Sequence, residues 1–112
     1  MNYIEGWYEG NADRVQSALH PDLAKRMVYI DKETQKSKLM DLSRDKLVEY
    51  TRKGGGKKIP PEKRNISVEI LDMMEQSATV KITSLLFTDY VHLIKWNGEW
   101  KIINVLWENH KQ

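Results

Sequence analysis

The chain has 112 residues, 40% of them apolar, with four tryptophans and five tyrosines; this length supports one hydrophobic core, and the apolar content argues against disorder. Its 18 basic and 16 acidic residues leave a net charge of +2, too even a balance for nucleic acid or an anionic membrane to be the main partner. Cysteine is absent, which excludes disulfides, thiolate nucleophiles and sulfur-ligated metals. With neither a basic-then-apolar leader nor about 18 consecutive apolar residues, the sequence reads as a soluble cytoplasmic protein with a single domain over 1–112.

Ile4, Trp7 and Tyr8, then Val15, Ala18 and Leu19, recur at spacings of three and four, the mark of helices with one buried face. Gly10-Asn11 divides them, predicting helices over about Tyr3 to Glu9 and Ala12 to Leu19. His20-Pro21-Asp22 ends the second, because proline disfavours helical geometry in the residue before it. Val28, Tyr29 and Ile30 favour a strand over Lys25 to Ile30, with Lys38 to Leu42 as its hairpin partner. Ser43 then offers a capping hydroxyl, Asp45 lies in the first turn, and Leu42 is placed to pack on Leu47, so a helix is expected to about Lys53. Gly54-Gly55-Gly56 stops it, and Lys57 to Arg64, with Pro60-Pro61, reads as an exposed connection. The cations around this glycine run lack P-loop spacing; they fit a solvated mobile loop or, failing that, a phosphate site.

From Asn65 the period becomes two: Ile66, Val68 and Ile70 mark one strand, and after a turn near Glu75-Gln76 a second carries Val80 and Ile82. The hairpin that follows, from about Ser77 to Asn109, turns at Asn97-Gly98. A type I′ turn there pairs Trp96 with Glu99. Counting back gives one face with Val91 opposite Asn104, Asp89 opposite Leu106 and Phe87 opposite Glu108, and a second with His92 opposite Ile103, Tyr90 opposite Val105 and Thr88 opposite Trp107. Val80 and Ile82 differ in parity from Phe87, Val91 and Leu93, so the core side switches near Leu85-Leu86-Phe87. Either a β-bulge resets the alternation there or both parities are buried. The element order defines an α+β domain with helices on one side of a sheet. Those helices can cover only one face, so a homodimer through the outer face is expected to bury Tyr90, His92, Ile103, Val105 and Trp107.

Tyr3-Ile4-Glu5-Gly6, Gly10-Asn11, Ala18-Leu19-His20-Pro21-Asp22, Thr88-Asp89-Tyr90-Val91-His92-Leu93 and Gly98-Glu99-Trp100-Lys101-Ile102 together resemble the nuclear transport factor 2-like superfamily, and within it the putative lumazine-binding group. The resemblance spans nearly the whole chain. It implies a cone-shaped (cystatin-like) α+β fold, with N-terminal helices packed on a strongly curved antiparallel-rich sheet around an interior pocket, and frequent dimerisation through the sheet. The superfamily holds ketosteroid isomerase-like enzymes, polyketide cyclases, dehydratases and non-catalytic binding or interaction domains, so fold alone does not select among these. Its isomerases use a first-helix tyrosine as oxyanion donor, a place Tyr3 matches. Their general base is a first-strand carboxylate, where this chain reads Ala24-Lys25-Arg26-Met27-Val28, which leaves proton abstraction without a base.

Asp89 and Asn104 share the face taken as inner. Asp89 either lines a pocket, with a raised pKa suited to acid or base work, or sits at the mouth or caps a backbone N–H. His20 either reaches the pocket mouth or closes the helix end. Trp7, Tyr8, Trp100 and Trp107 either stack on a planar ligand or fill core and interface. No metal is expected from His20, His92 and His110, which lack ligand spacing, and no cofactor is implied. The sequence thus supports a homodimeric small-molecule-binding domain holding an apolar or aromatic ligand against Tyr3, Trp7, Asp89 and Asn104. The alternatives are an isomerase, cyclase or dehydratase using Asp89 or His20, and an interaction module.

Overall fold

Alternating apolar positions in the strands and a three-four apolar spacing in the helices leave one surface of each to be buried, and the chain satisfies both by laying its helices on one side of a single sheet. The computed structural model describes residues 2–110. Its elements are α1 (Asn2–Glu9), α2 (Ala12–Ala18), β1 (Leu19–Ile30), β2 (Ser37–Leu42), α3 (Arg44–Arg52), a 3-10 turn (Pro61–Lys63), β3 (Ser67–Met73), β4 (Ser77–Thr83), β5 (Phe87–Trp96) and β6 (Glu99–Asn109). The strand order is β2-β1-β6-β5-β4-β3, with β1 parallel to β6 and the other neighbours antiparallel.

Local chemistry sets the helix ends. Asn11 caps α2 by accepting from the Arg14 amide, and Ser43 caps α3 by accepting from the Lys46 amide. Gly54 follows α3 at φ +83°, where glycine is tolerated and a β-carbon is strained. Helix α2 ends at Ala18, and β1 starts at once with Leu19 and continues through His20-Pro21-Asp22. The expected six-residue strand is therefore twelve residues long. Its pairing with β6 shifts between Leu19 and Ala24, so the Pro21 segment passes where the ladder is irregular and no amide is required of the proline. The core joins Tyr3, Ile4 and Tyr8 of α1, Val15 of α2 and Leu47 of α3 to Val80, Ile82, Val91, Ile102 and Val105 of the sheet.

Two expectations about the hairpin change. First, Ser77 to Trp96 is two strands: the chain reverses at Ser84–Phe87, pairing Thr83 with Thr88, and the Ser84 amide donates to the Phe87 carbonyl at 3.0 Å. Ser84 is also held by Tyr8, whose hydroxyl donates to Ser84 Oγ at 2.8 Å. Reversal of direction, rather than a bulge, switches the core side. Second, a bulge does occur, but on β6. The Asn97-Gly98 turn forms with both residues at positive φ, and its register holds as far as Leu93 opposite Ile102. Ile103 is then an extra residue, and His92 pairs with Asn104, Val91 with Val105 and Asp89 with Trp107. One inserted residue moves every later β6 side chain to the opposite face.

Candidate functional site

Helix geometry places Tyr3 and Trp7, four residues apart, on one face of α1. Lys25 shares its parity on β1 with the buried Leu23 and Met27, so its side chain enters the core side. On β5 Asp89 shares the buried parity of Val91 and Leu93. Beyond the bulge Trp107 lies opposite Asp89.

These elements bring Tyr3, Lys25 and Asp89 together. The Tyr3 hydroxyl donates to Asp89 Oδ2 at 2.7 Å and accepts from Lys25 Nζ at 2.5 Å. Lys25 Nζ lies 4.0 Å from Asp89 Oδ2, the two side chains being 8% and 0% exposed. The lysine nitrogen is also 5.1 Å from the ring centre of Tyr3, 5.2 Å from that of Trp107 and 6.0 Å from that of Phe87, close enough for the ring quadrupoles to attract a cation. Asp89 Oδ1 and Trp107 Nε1 are buried without a hydrogen-bond partner among the described residues. Beside the triad is a cavity of about 80 Å³ lined by Tyr3, Trp7, Lys25, Leu42, Leu47, Tyr50, Phe87 and Trp107.

Burial acts against ionisation of all three groups. It pushes the Tyr3 phenol well up, helped by the Asp89 charge. It pushes the Lys25 ammonium down, with Asp89 opposing. It pushes the Asp89 carboxyl up, with Lys25 and the Tyr3 hydrogen bond opposing. The Lys25–Tyr3–Asp89 chain therefore has an alternative to a buried ion pair: Lys25 passes a proton to Tyr3 while Tyr3 passes its own to Asp89, and all three become neutral.

The structure joins Tyr3 to Asp89 by a hydrogen bond and places Tyr3 beside Trp7 on the cavity wall, and it separates Asn104 and His20 from them. Asp89 neither sits at a mouth nor caps a backbone N–H; its bond is to the Tyr3 side chain. Asn104 was expected on the inner face opposite Val91, and the bulge places it on the outer face, 3.2 Å from His92 Nδ1. His20 is buried at the end of α2, its Nδ1 accepting from the Asp22 amide and its ring edge-on to Trp96. His110 pairs with Thr88 Oγ1 at 2.7 Å. The bulge also corrects the expected outer surface: Val105 is in the core and Trp107 packs inward against Phe87, leaving Tyr90 and His92 exposed and adding Val28 and Leu106.

The residue missed from sequence is Lys25, although its i±2 relation to Leu23 and Met27 was visible. The glycine loop is also not free: a Cβ on Gly55 would lie 2.6 Å from the Trp7 indole, so glycine is required there for the loop to lie flat on the cavity wall. A separate apolar hollow of about 240 Å³, with Val68, Ile70, Val80, Leu93 and Trp100 in its walls, opens at the other end of the sheet.

A comparison with curated proteins gives no significant match. Among solved structures, a nuclear transport factor 2-like protein of unknown function from Shewanella baltica is similar at 18% identity and TM-score 0.68, over 99% of this chain and 87% of that one. One from Silicibacter pomeroyi has 12% identity and TM-score 0.71 over 97% and 87%, and one from Methylobacillus flagellatus 19% and 0.68 over 97% and 84%. At such identities the likeness shows the fold, which is the α+β nuclear transport factor 2-like fold expected from sequence. The family described as "Putative lumazine-binding" matches residues 1–108, and the chain belongs to that family within the nuclear transport factor 2-like superfamily.

Proposed function

We propose that the protein is a small-molecule-binding domain whose ligand enters the aromatic cavity between α1, α3 and the sheet and places a polar group against Tyr3, Lys25 and the Trp107 indole N–H. The carrying observation is that Lys25, Tyr3 and Trp107, the last with a buried indole N–H that has no partner among the described residues, wall one largely apolar space, the usual composition of a ligand site. At about 80 Å³ the space is well below the ~300 Å³ at which ligand pockets commonly begin. It takes a fragment of a few heavy atoms as it stands. A planar bicycle of the kind the family's name suggests requires Tyr50, the exposed wall, to turn outward. Titration with lumazine and with small amides and carbonyls, followed by the Trp107 indole N–H resonance, tests this reading. A saturable shift in the wild type, weakened about tenfold in Tyr3→Phe by loss of a hydrogen bond to the ligand, supports it; an unmoved Trp107 resonance with every compound overturns it. An isomerase of the superfamily's kind draws no support, because the inward group on β1 is Lys25 rather than a carboxylate.

We further propose a homodimer through the outer sheet face. Val28, Tyr90 and Leu106, 49%, 47% and 49% exposed, lie on the neighbouring strands β1, β5 and β6 and form an apolar patch of the kind a second copy buries. Sedimentation is expected to show a dimer that Tyr90→Asp with Leu106→Asp converts to a folded monomer. A wild-type monomer at ~10 μM, a concentration at which a specific dimer of ordinary affinity persists, removes the proposal.

A further inference from the structure

We propose that Lys25 is a nucleophilic amine that forms an imine with a short-chain aldehyde or ketone held in the aromatic cavity, with Tyr3 and Asp89 relaying the protons. This deepens the binding reading above and rests on it, since the cavity is the same.

A structural lysine in a core is expected to satisfy its three donors. Lys25 Nζ donates to Tyr3 Oη alone among the described residues, with Asp89 at the outer limit of ion-pair range and aromatic rings on other sides. Burial disfavours the ammonium against the pull of Asp89 and the rings, and the hydroxyl between Nζ and Oδ2 provides the route by which the proton leaves. Desolvation of this kind is how lysine nucleophiles are activated. The space that Lys25 lines, about 80 Å³, exceeds what one water needs and suits a carbonyl compound of the size of acetaldehyde or acetone.

The chemistry closes on these groups. The Nζ lone pair forms the C–N bond while the C=O π pair moves to oxygen. That oxygen takes a proton from Asp89 through Tyr3, and the nitrogen returns one by the same path, giving the carbinolamine. A second proton from the relay lets the C–O bond break, and the oxygen departs as water. The nitrogen lone pair completes C=N, and the resulting iminium keeps the Asp89 carboxylate as its counter-ion. The sum is carbonyl, amine and the Asp89 carboxylic acid giving iminium, Asp89 carboxylate and water, with no change of redox state.

Reductive trapping of the full chain with acetaldehyde and cyanoborohydride near neutral pH, read by peptide mass mapping, tests the proposal. Lys25, 6% exposed, is expected to gain an ethyl group about tenfold faster than exposed Lys32 and Lys36, the reverse of their accessibility. Tyr3→Phe, with folding checked by circular dichroism, is expected to slow labelling of Lys25 by about a hundredfold, the lower range for loss of a general acid–base group, while Lys36 labels as before. Acetamide, the shape of acetone without its reactivity, separates the two readings. If acetamide shifts the Trp107 indole N–H and Lys25 stays unlabelled, the imine is refuted and the binding site stands. If acetamide leaves Trp107 unmoved and Lys25 labels no faster than Lys36, both fail. Equal slowing of Lys25 and Lys36 in Tyr3→Phe refutes the relay.

Discussion

Replacing the whole triad by apolar groups of similar shape, as Tyr3→Phe with Lys25→Met and Asp89→Val, measures what these buried polar groups do for the fold. In the ion-paired form, the 4.0 Å separation of Lys25 and Asp89 gives an attraction of ~4 kcal/mol at an effective dielectric of about 20; the neutral form gives up this attraction together with the desolvation it would offset. The two hydrogen bonds through Tyr3 are charge-assisted and contribute about 1.5–3 kcal/mol each. Against these stand desolvation of two ions, several kcal/mol apiece, and the unpartnered Asp89 Oδ1, which costs about 1–3 kcal/mol. The two sides nearly cancel. The triple variant is therefore expected to be as stable as the wild type or up to about 4 kcal/mol more stable, whereas Lys25→Met or Asp89→Val alone costs about 3–5 kcal/mol by stranding its partner. Urea unfolding followed by tryptophan fluorescence, with the slope unchanged, gives these values. The pH dependence has a fixed sign. The raised Asp89 carboxyl contributes stability that is full below its ordinary 3.8 and lost as pH rises through the higher folded value. The lowered Lys25 contributes stability that is full above 10.5 and lost as pH falls through the lower folded value. The gain of the triple variant is thus largest between those folded values. A triple variant more than about 2 kcal/mol less stable than wild type, or single variants without cost, refutes the account of the triad as marginal for stability.

Three further outcomes are expected. Val105→Ala, at a site 1% exposed, is expected to cost about 2 kcal/mol from lost burial and a residual cavity, while Leu106→Ala, 49% exposed, costs under about 0.5 kcal/mol in a monomer; the sequence-derived register predicts the opposite ranking, so thermal unfolding decides between the frames. Gly55→Ala, whose new methyl would meet the Trp7 indole at 2.6 Å, is expected to destabilise by about 1–3 kcal/mol and shift tryptophan emission; unchanged emission would mean the loop does not rest on Trp7. Ser43→Ala removes the oxygen that accepts from the Lys46 amide at 3.2 Å and is expected to lower stability by about 1 kcal/mol in urea.

Local signals made much of this fold legible. Spacing, the Ser43 cap, the stop at Gly54 and the Asn97-Gly98 turn each act within a few residues, and each stands where the sequence puts it. The Ser84–Phe87 reversal lacks Gly, Pro and Asn; it is held by Ser84 and by Tyr8 from a distant helix, and no local pattern carries that information. The frame of β6 was ambiguous for a different reason. Ile102 and Ile103 are both apolar, as are Val105 and Leu106, so alternation cannot say which member of each pair is buried. Tyr3, Trp7 and Asp89 were legible as candidates, and Tyr3 bonds to Asp89 and shares the cavity wall with Trp7. Lys25 was not, because a charged residue in a strand reads as solvated until its partners on α1 and β5 are in place.

Ile103 gives β6 two reading frames, one set by the Asn97-Gly98 turn and the other by the core. For anyone grafting or recombining this domain, the strand is therefore not one exchangeable part. A segment joined in the turn's frame past Ile103 would deliver Asn104 and Leu106 to the interior and turn Val105 and Trp107 outward, even with every residue of the cassette retained. Hairpin tips up to Ile102 can be swapped as a unit, and the half from Asn104 onward travels with β1, whose Ala24, Lys25 and Arg26 it pairs.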